Sequence, residues 1–166
     1  MAAFQTVTFD DVALRSALKA ARARGQDMRP ALRTIGQAGV NQTKKRFISK
    51  RGPDGSSWKP TRKIGGTTLI ASGLLLRSIS VRQLVDASVA WGSNRVYAAI
   101  HQFGGTIKPV NGKHLKFRVG GNGGWVSVKS VTIPARPYLG INTADLAEFA
   151  AIALRHVGQP LTGGAA

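Results

Sequence analysis

Cysteine is absent from this chain, which excludes disulfides and zinc sites built on thiolates. Acidic residues are scarce: seven Asp and Glu stand against 24 Lys and Arg in 166 residues, a formal net charge of +17. So few carboxylates leave little from which to build a two-metal nuclease, which needs several converging on Mg²⁺. Asp10 with Asp11, and Asp145 with Glu148, are the pairs close in sequence. Both sit in first-turn positions of expected helices, where acids complement the dipole. Long apolar runs are missing too: none approaches the roughly 18 residues needed to cross a bilayer. The amino terminus, Met1 to Thr6, lacks a basic start followed by an apolar stretch. That argues against a secretory signal and for a cytoplasmic chain with no membrane contact. His101, His114 and His156 show no metal-ligand spacing and read as structural. The expectation is a protein that is not an enzyme and that carries no cofactor and no metal.

What is present is apolar material, 43% of the residues, enough for the core of a single domain spanning 1–166. The charge is spread along it. Twelve of the basic side chains fall in residues 1–60 and twelve in residues 61–166. A folded domain with that distribution carries a broad positive field that attracts polyanions or acidic protein surfaces. It also resists self-association unless a partner supplies counter-charge.

The fold class read from the periodicities is α+β. A mainly antiparallel sheet with hairpins is packed by a long N-terminal helical region and a C-terminal helix. Asp10 or Asp11 is placed to cap a first helix whose apolar face holds Leu14, Ala17, Leu18 and Ala21, with Gly25 at its end. A second helix opens near Asp27–Pro30 and carries Met28, Leu32, Ile35, Gly39, Thr43 and Phe47 along one stripe. Its far end bears Lys44, Lys45, Arg46, Lys50 and Arg51, partly a complement to the helix dipole and partly a candidate DNA-facing cluster. Residues 52–68 read as an extended loop, with Trp58 either pinning it to its own core or docking on a neighbouring subunit.

Strands are expected at Leu74–Val81 and Ala87–Trp91 around a polar turn near Gln83–Asp86. A short helix at Tyr97–Phe103 would be capped by Ser93 or Asn94 and closed by Gly104-Gly105. Residues 114–131 read as a hairpin, His114–Val119 and Trp125–Val131, turning at Gly120–Gly124. Within it Leu115, Phe117 and Val119 alternate with Lys116 and Arg118, giving an apolar and a basic face; these two cations are further DNA-facing candidates. A closing helix is capped by Asn142 or Thr143, carries Leu146, Phe149, Ala150, Ala153 and Val157 on one side, and stops at Gly158 and Pro160.

Four motifs occur in fixed order: Pro53-Asp54-Gly55-Ser56-Ser57-Trp58, Leu69-Ile70-Ala71-Ser72-Gly73-Leu74, Tyr97 to Gly105 containing His101-Gln102-Phe103-Gly104, and Arg136-Pro137-Tyr138-Leu139-Gly140. In this series the chain resembles the virion morphogenesis family of tailed bacteriophages, which includes the Mu-like G proteins and tail-completion proteins. The resemblance implies a structural component of the neck, a tail-completion or head–tail joining protein acting as a subunit of a ring, typically a hexamer. It implies as partners further copies of the chain and other neck, connector or tail-tube proteins. Its location would be the virion neck, after assembly from the host cytoplasm. Pro53, Asp54, Gly55, Trp58, Tyr97, His101, Gln102, Phe103 and Arg136 match the family's motifs and become assembly candidates, joined by Phe117 and Trp125 on the hairpin. Double-stranded DNA is a possible non-specific contact. The rival reading is a free, sequence-independent nucleic-acid-binding phage protein.

Overall fold

The second helix organises the molecule. In the computed structural model, which describes residues 12–60, 68–85, 88–118 and 124–158, α1 (Val12–Gln26) leads into α2 (Arg29–Ser49). Pro30 falls in the first turn of α2, and the Asp27 carboxylate accepts the Arg29 amide at 3.0 Å. At the other end Lys50 adopts a left-handed conformation and returns its amide to the Arg46 carbonyl at 2.8 Å. After α3 (Leu74–Ser78) come β1 (Ser80–Val85) and β2 (Ser88–Gly92), paired antiparallel with Val81 opposite Trp91 and a bulge at Arg82.

Helix α2 lies directly on this hairpin because small residues let it. A methyl group on Gly39 would sit 2.5 Å from the Trp91 ring, so the helix backbone and the indole are already in contact. Trp91 donates its Nε1–H to Thr43 Oγ1 at 3.2 Å and meets Phe149 edge-on. It thereby joins α2, the hairpin and α5 (Thr143–Gly158). The remaining elements are α4 (Ala98–Phe103), β3 (Gly105–Ile107), β4 (Leu115–Arg118), β5 (Trp125–Val128) and β6 (Val131–Ile133). The core gathers Val40, Phe47, Trp58, Leu75, Ile79, Ala98 and Tyr138.

The α+β class stands, with every strand pair antiparallel, but three two-stranded ladders replace one sheet among the described residues: β1–β2, β3–β6 and β4–β5. The expected strand Trp125–Val131 is divided, since β5 pairs with β4 while β6 crosses to β3. The expected strand from Leu74 begins as helix instead. Gly73 takes φ +66°, its carbonyl accepts the Arg77 amide at 2.9 Å, and Leu75 is buried beneath the turn. Gln83, placed in the turn by its polarity, pairs within the ladder opposite Ala90. Helix α1 exposes Leu18 by 61% and buries Ala20, so its inward face is rotated from the expected one. Tyr97, not Ser93 or Asn94, stands at the start of α4 without a side-chain cap; Ser93 Oγ accepts the Arg95 amide at 3.1 Å instead. The Asp10 and Asp11 caps and the Gly120–Gly123 hairpin tip lie outside the described residues.

Candidate functional site

Residues 136–140 form a strap without regular secondary structure, and almost every polar group along it is held by a side chain from elsewhere. The Arg136 amide donates to the His101 carbonyl at 2.8 Å. Gln102 accepts the amides of Tyr138 and Leu139 on Oε1, both at 3.0 Å, and donates Nε2 to the Leu139 carbonyl at 3.0 Å. One amide side chain thus substitutes for a strand partner. Tyr138 is buried, stacks obliquely on Phe47 and donates its hydroxyl to the Ala98 carbonyl at 3.1 Å. Trp58 packs edge-on against Phe47 at 5.7 Å and donates Nε1–H to the Pro137 carbonyl at 2.9 Å.

The loop that delivers Trp58 is not extended at its start. Gly52 and Ser56 bond to each other, the Trp58 amide reaches the Lys50 carbonyl, and Asp54 accepts from the Ser56 hydroxyl and amide. Residues 52–56 therefore fold as a tight turn; 61–67 lie outside the described residues.

A second set of bonds anchors the strap to α2 and α5. Arg46 donates Nη1 to the carbonyls of Tyr138 at 3.2 Å and Gly140 at 2.7 Å, and pairs through Nη2 with Asp145. Both charged side chains are buried. Asp145 in turn accepts the Asn142 amide at 3.0 Å, while Asn142 Oδ1 accepts the Asp145 amide at 2.8 Å. That reciprocal pair is a capping box, so one carboxylate both starts α5 and neutralises Arg46.

Beside the strap, Arg136, Tyr97 and His101 line a recess of about 310 Å³ whose other walls are Leu69, Ala71, Ser72 and Leu75. Arg136 donates Nε to the Lys59 carbonyl at 2.8 Å and Nη2 to that of Pro60 at 3.1 Å. The buried Nδ1 of His101 has no hydrogen-bond partner among the described residues. Burial, reinforced by the Arg136 charge, holds the His101 imidazole below its ordinary value of 6.5. A base depressed in the folded state binds its proton more readily once unfolded. Its stabilising contribution is therefore complete above pH 6.5 and is lost as pH falls from there through the lower folded-state value. Unfolding free energy measured between pH 7.5 and 5 is expected to decline, and His101→Gln is expected to flatten that decline. Among the described residues no group of three or more His, Asp or Glu could hold a metal, and no helix is long and apolar enough to cross a membrane.

The family model of the phage virion morphogenesis family matches residues 9–158. The chain belongs to the phage virion morphogenesis family. No curated protein and no solved structure matches it. Membership makes this chain a structural, assembly-related component of a phage particle.

The geometry sorts the candidate residues of this morphogenesis protein into two groups. Trp58, Gln102 and Arg136 hold the fold: Trp58 and Gln102 clamp the strap, and Arg136, within it, ties it to the Lys59 and Pro60 carbonyls. Trp58 consequently does not project toward a neighbour. Tyr97 and His101 are half-buried, in edge contact at 6.0 Å. Pro53 is half-buried under Gly140, and Asp54 with Gly55 forms the exposed tip of the turn. Phe103 is 78% exposed and Trp125 74% exposed, with Phe117 at 38%. Of the cation candidates, Lys45, Lys50, Arg51, Lys116 and Arg118 are exposed and Lys44 is half-buried. Arg46 must be removed from the DNA-facing cluster, because Asp145 and the strap carbonyls occupy its guanidinium. The sequence reading missed Val96 and Val110, 97% and 94% exposed; single valines in irregular segments carry no periodic signal.

Proposed function

We propose that this chain is a subunit of a ring, hexameric in the manner of tail-completion proteins, at the neck of a tailed phage, where it completes the tail or joins it to the head. The observation that carries the reading is the β4–β5 hairpin. Its register sets Arg118 opposite Trp125 and Lys116 opposite Ser127, with Phe117 opposite Val126 and Leu115 opposite Val128. Directly opposed residues project to the same side. One face is thus Leu115, Phe117, Val126 and Val128, none of them fully buried, and the other combines two cations with an exposed Trp. An amphipathic hairpin with an exposed indole supplies the aromatic anchor typical of interfaces and a ladder that a neighbour's strand can extend.

The test is complementation of a phage lacking the chain with the double variant Phe117→Ser and Trp125→Ser. Trp125→Ser alone should change stability by no more than about 0.5 kcal/mol and the double variant by about 1–2 kcal/mol, while the yield of infectious particles falls at least tenfold in both. Normal yield would remove the hairpin from the assembly surface.

The exposed cations Lys45, Lys50, Arg51, Lys116 and Arg118 favour a contact with double-stranded DNA within the same particle. Such binding is expected to be independent of sequence and steeply salt-dependent, with about six phosphate contacts losing roughly 10³ in affinity between 50 and 200 mM salt. Fluorescence anisotropy on two unrelated duplexes checks this; a tight preference for one of them would contradict it and favour a dedicated DNA-binding protein.

A further inference from the structure

Arg136 is 7% exposed, yet among the described residues no carboxylate lies beside it and no hydrogen bond engages its Nη1. Two carbonyls take its other nitrogens, but carbonyls do not cancel a buried charge, and a buried charge without a counter-ion is costly. Nearby His101 contributes the one buried side-chain nitrogen or oxygen without a hydrogen-bond partner among the described residues, its Nδ1. Both residues line the same recess of about 310 Å³, together with Tyr97, Ser72 and the apolar Leu69, Ala71 and Leu75. The chain has little with which to fill it. Four of its seven acids lie in the described residues, and each is engaged: Asp145 is bound to Arg46, Glu148 accepts from Gln42, Asp54 from Ser56 and Asp27 from Arg29. The segment 61–67 contains no acid at all.

We propose that this recess takes a carboxylate side chain from an acidic segment of a neighbouring virion protein, with Arg136 and His101 as its polar contacts. The proposal rests on the reading of the chain as a virion component. Shape favours a carboxylate over duplex DNA. An anion must enter a recess half-lined by apolar side chains to reach a nearly buried guanidinium, which suits an acidic side chain flanked by apolar ones. A duplex phosphate is fixed on a broad ridge and suits the exposed Lys45, Lys50 and Arg51 at and just beyond the end of α2. Arginine's planar fork also matches carboxylate geometry. Carboxylate binding would raise the titration point of His101, since an anion favours its charged form.

The test is a titration of the isotope-labelled full chain with N-acetyl-Leu-Glu-amide, its glutamine twin, inorganic phosphate and a 20-base-pair duplex, following the Arg136 Nε and His101 ring signals by NMR. The glutamate peptide is expected to shift both saturably, to raise the His101 titration point and to bind at least tenfold more tightly than the twin. Ala71 is exposed, so Ala71→Phe should close the recess and abolish these shifts while the rest of the spectrum is unchanged. Arg136→Lys keeps the charge without the fork and should weaken binding. Equal binding of the twins, shifts that persist in Ala71→Phe, or stronger effects from phosphate or duplex at these two residues would overturn the proposal. Because the titration uses the isolated chain, its failure would leave the neck assignment standing, and failure of that assignment would leave the titration unaltered.

Discussion

Arg46→Met is expected to destabilise the chain by about 3–5 kcal/mol, the cost of removing one member of a buried ion pair. Domains of this kind have about 5–15 kcal/mol in total, so the variant should lose a large share of its stability. The effect is large because Arg46 holds three pieces together at once. Its loss strands the Asp145 carboxylate inside the protein and orphans the carbonyls of Tyr138 and Gly140. Asp145 keeps its capping bonds with Asn142, so α5 itself should persist while its attachment to α2 and the strap fails. Chemical denaturation monitored by far-UV and near-UV circular dichroism would separate these: near-UV signal and midpoint should fall first, helical signal later. A midpoint unchanged within error would show that the pair contributes nothing.

The second large effect is expected at Trp58. Trp58→Ala should cost about 3–5 kcal/mol, the usual range for emptying a large aromatic site, and lower the melting temperature by roughly 6–20 °C for a domain of this size. The cavity would open against Phe47, and the Pro137 carbonyl would lose its indole donor. Trp58→Phe, retaining most of the packing, should cost only about 1 kcal/mol for the hydrogen bond plus a smaller packing loss. If Trp58 were instead an anchor for a neighbour, its alanine variant would melt normally and fail only in assembly. The contrast with Trp125, 74% exposed against 7% for Trp58, makes the pair of indoles a direct internal comparison.

How far the fold could be read in advance depended on whether the signal was local. The stripe Gly39, Thr43 and Phe47 is buried as its helical spacing implied, and Asn142 caps α5 as its position before the apolar run implied. The alternation in Leu115–Arg118 correctly announced a hairpin with two unlike faces. Leu74–Ser78 was misread because three leucines followed by Arg and Ser carry no period that distinguishes a buried strand from one helical turn, and the left-handed Gly73 decides it. Arg46 was misread for a different reason. In a run with Lys44 and Lys45 it looks like one more solvated cation, and the carboxylate that withdraws it lies 99 positions away. Trp58 and Gln102 stand out in the sequence as assembly candidates, whereas in the structure they clamp residues 136–140, a relation that spans 79 and 37 positions. Surface valines such as Val96 gave no signal, since exposure is a property of what the rest of the chain leaves uncovered.

The central claim is that the motif residues clamp the strap while the hairpin and the exposed aromatics meet other proteins of the particle. A cryo-electron-microscopy reconstruction of purified particles, with this chain traced, tests it most directly. The expected result is a ring of copies between head and tail with Phe117 and Trp125 covered by a neighbouring chain and Trp58 in the same internal contact with Phe47. A particle that lacks the chain, or one in which Trp125 points into solvent on every copy, would contradict the account.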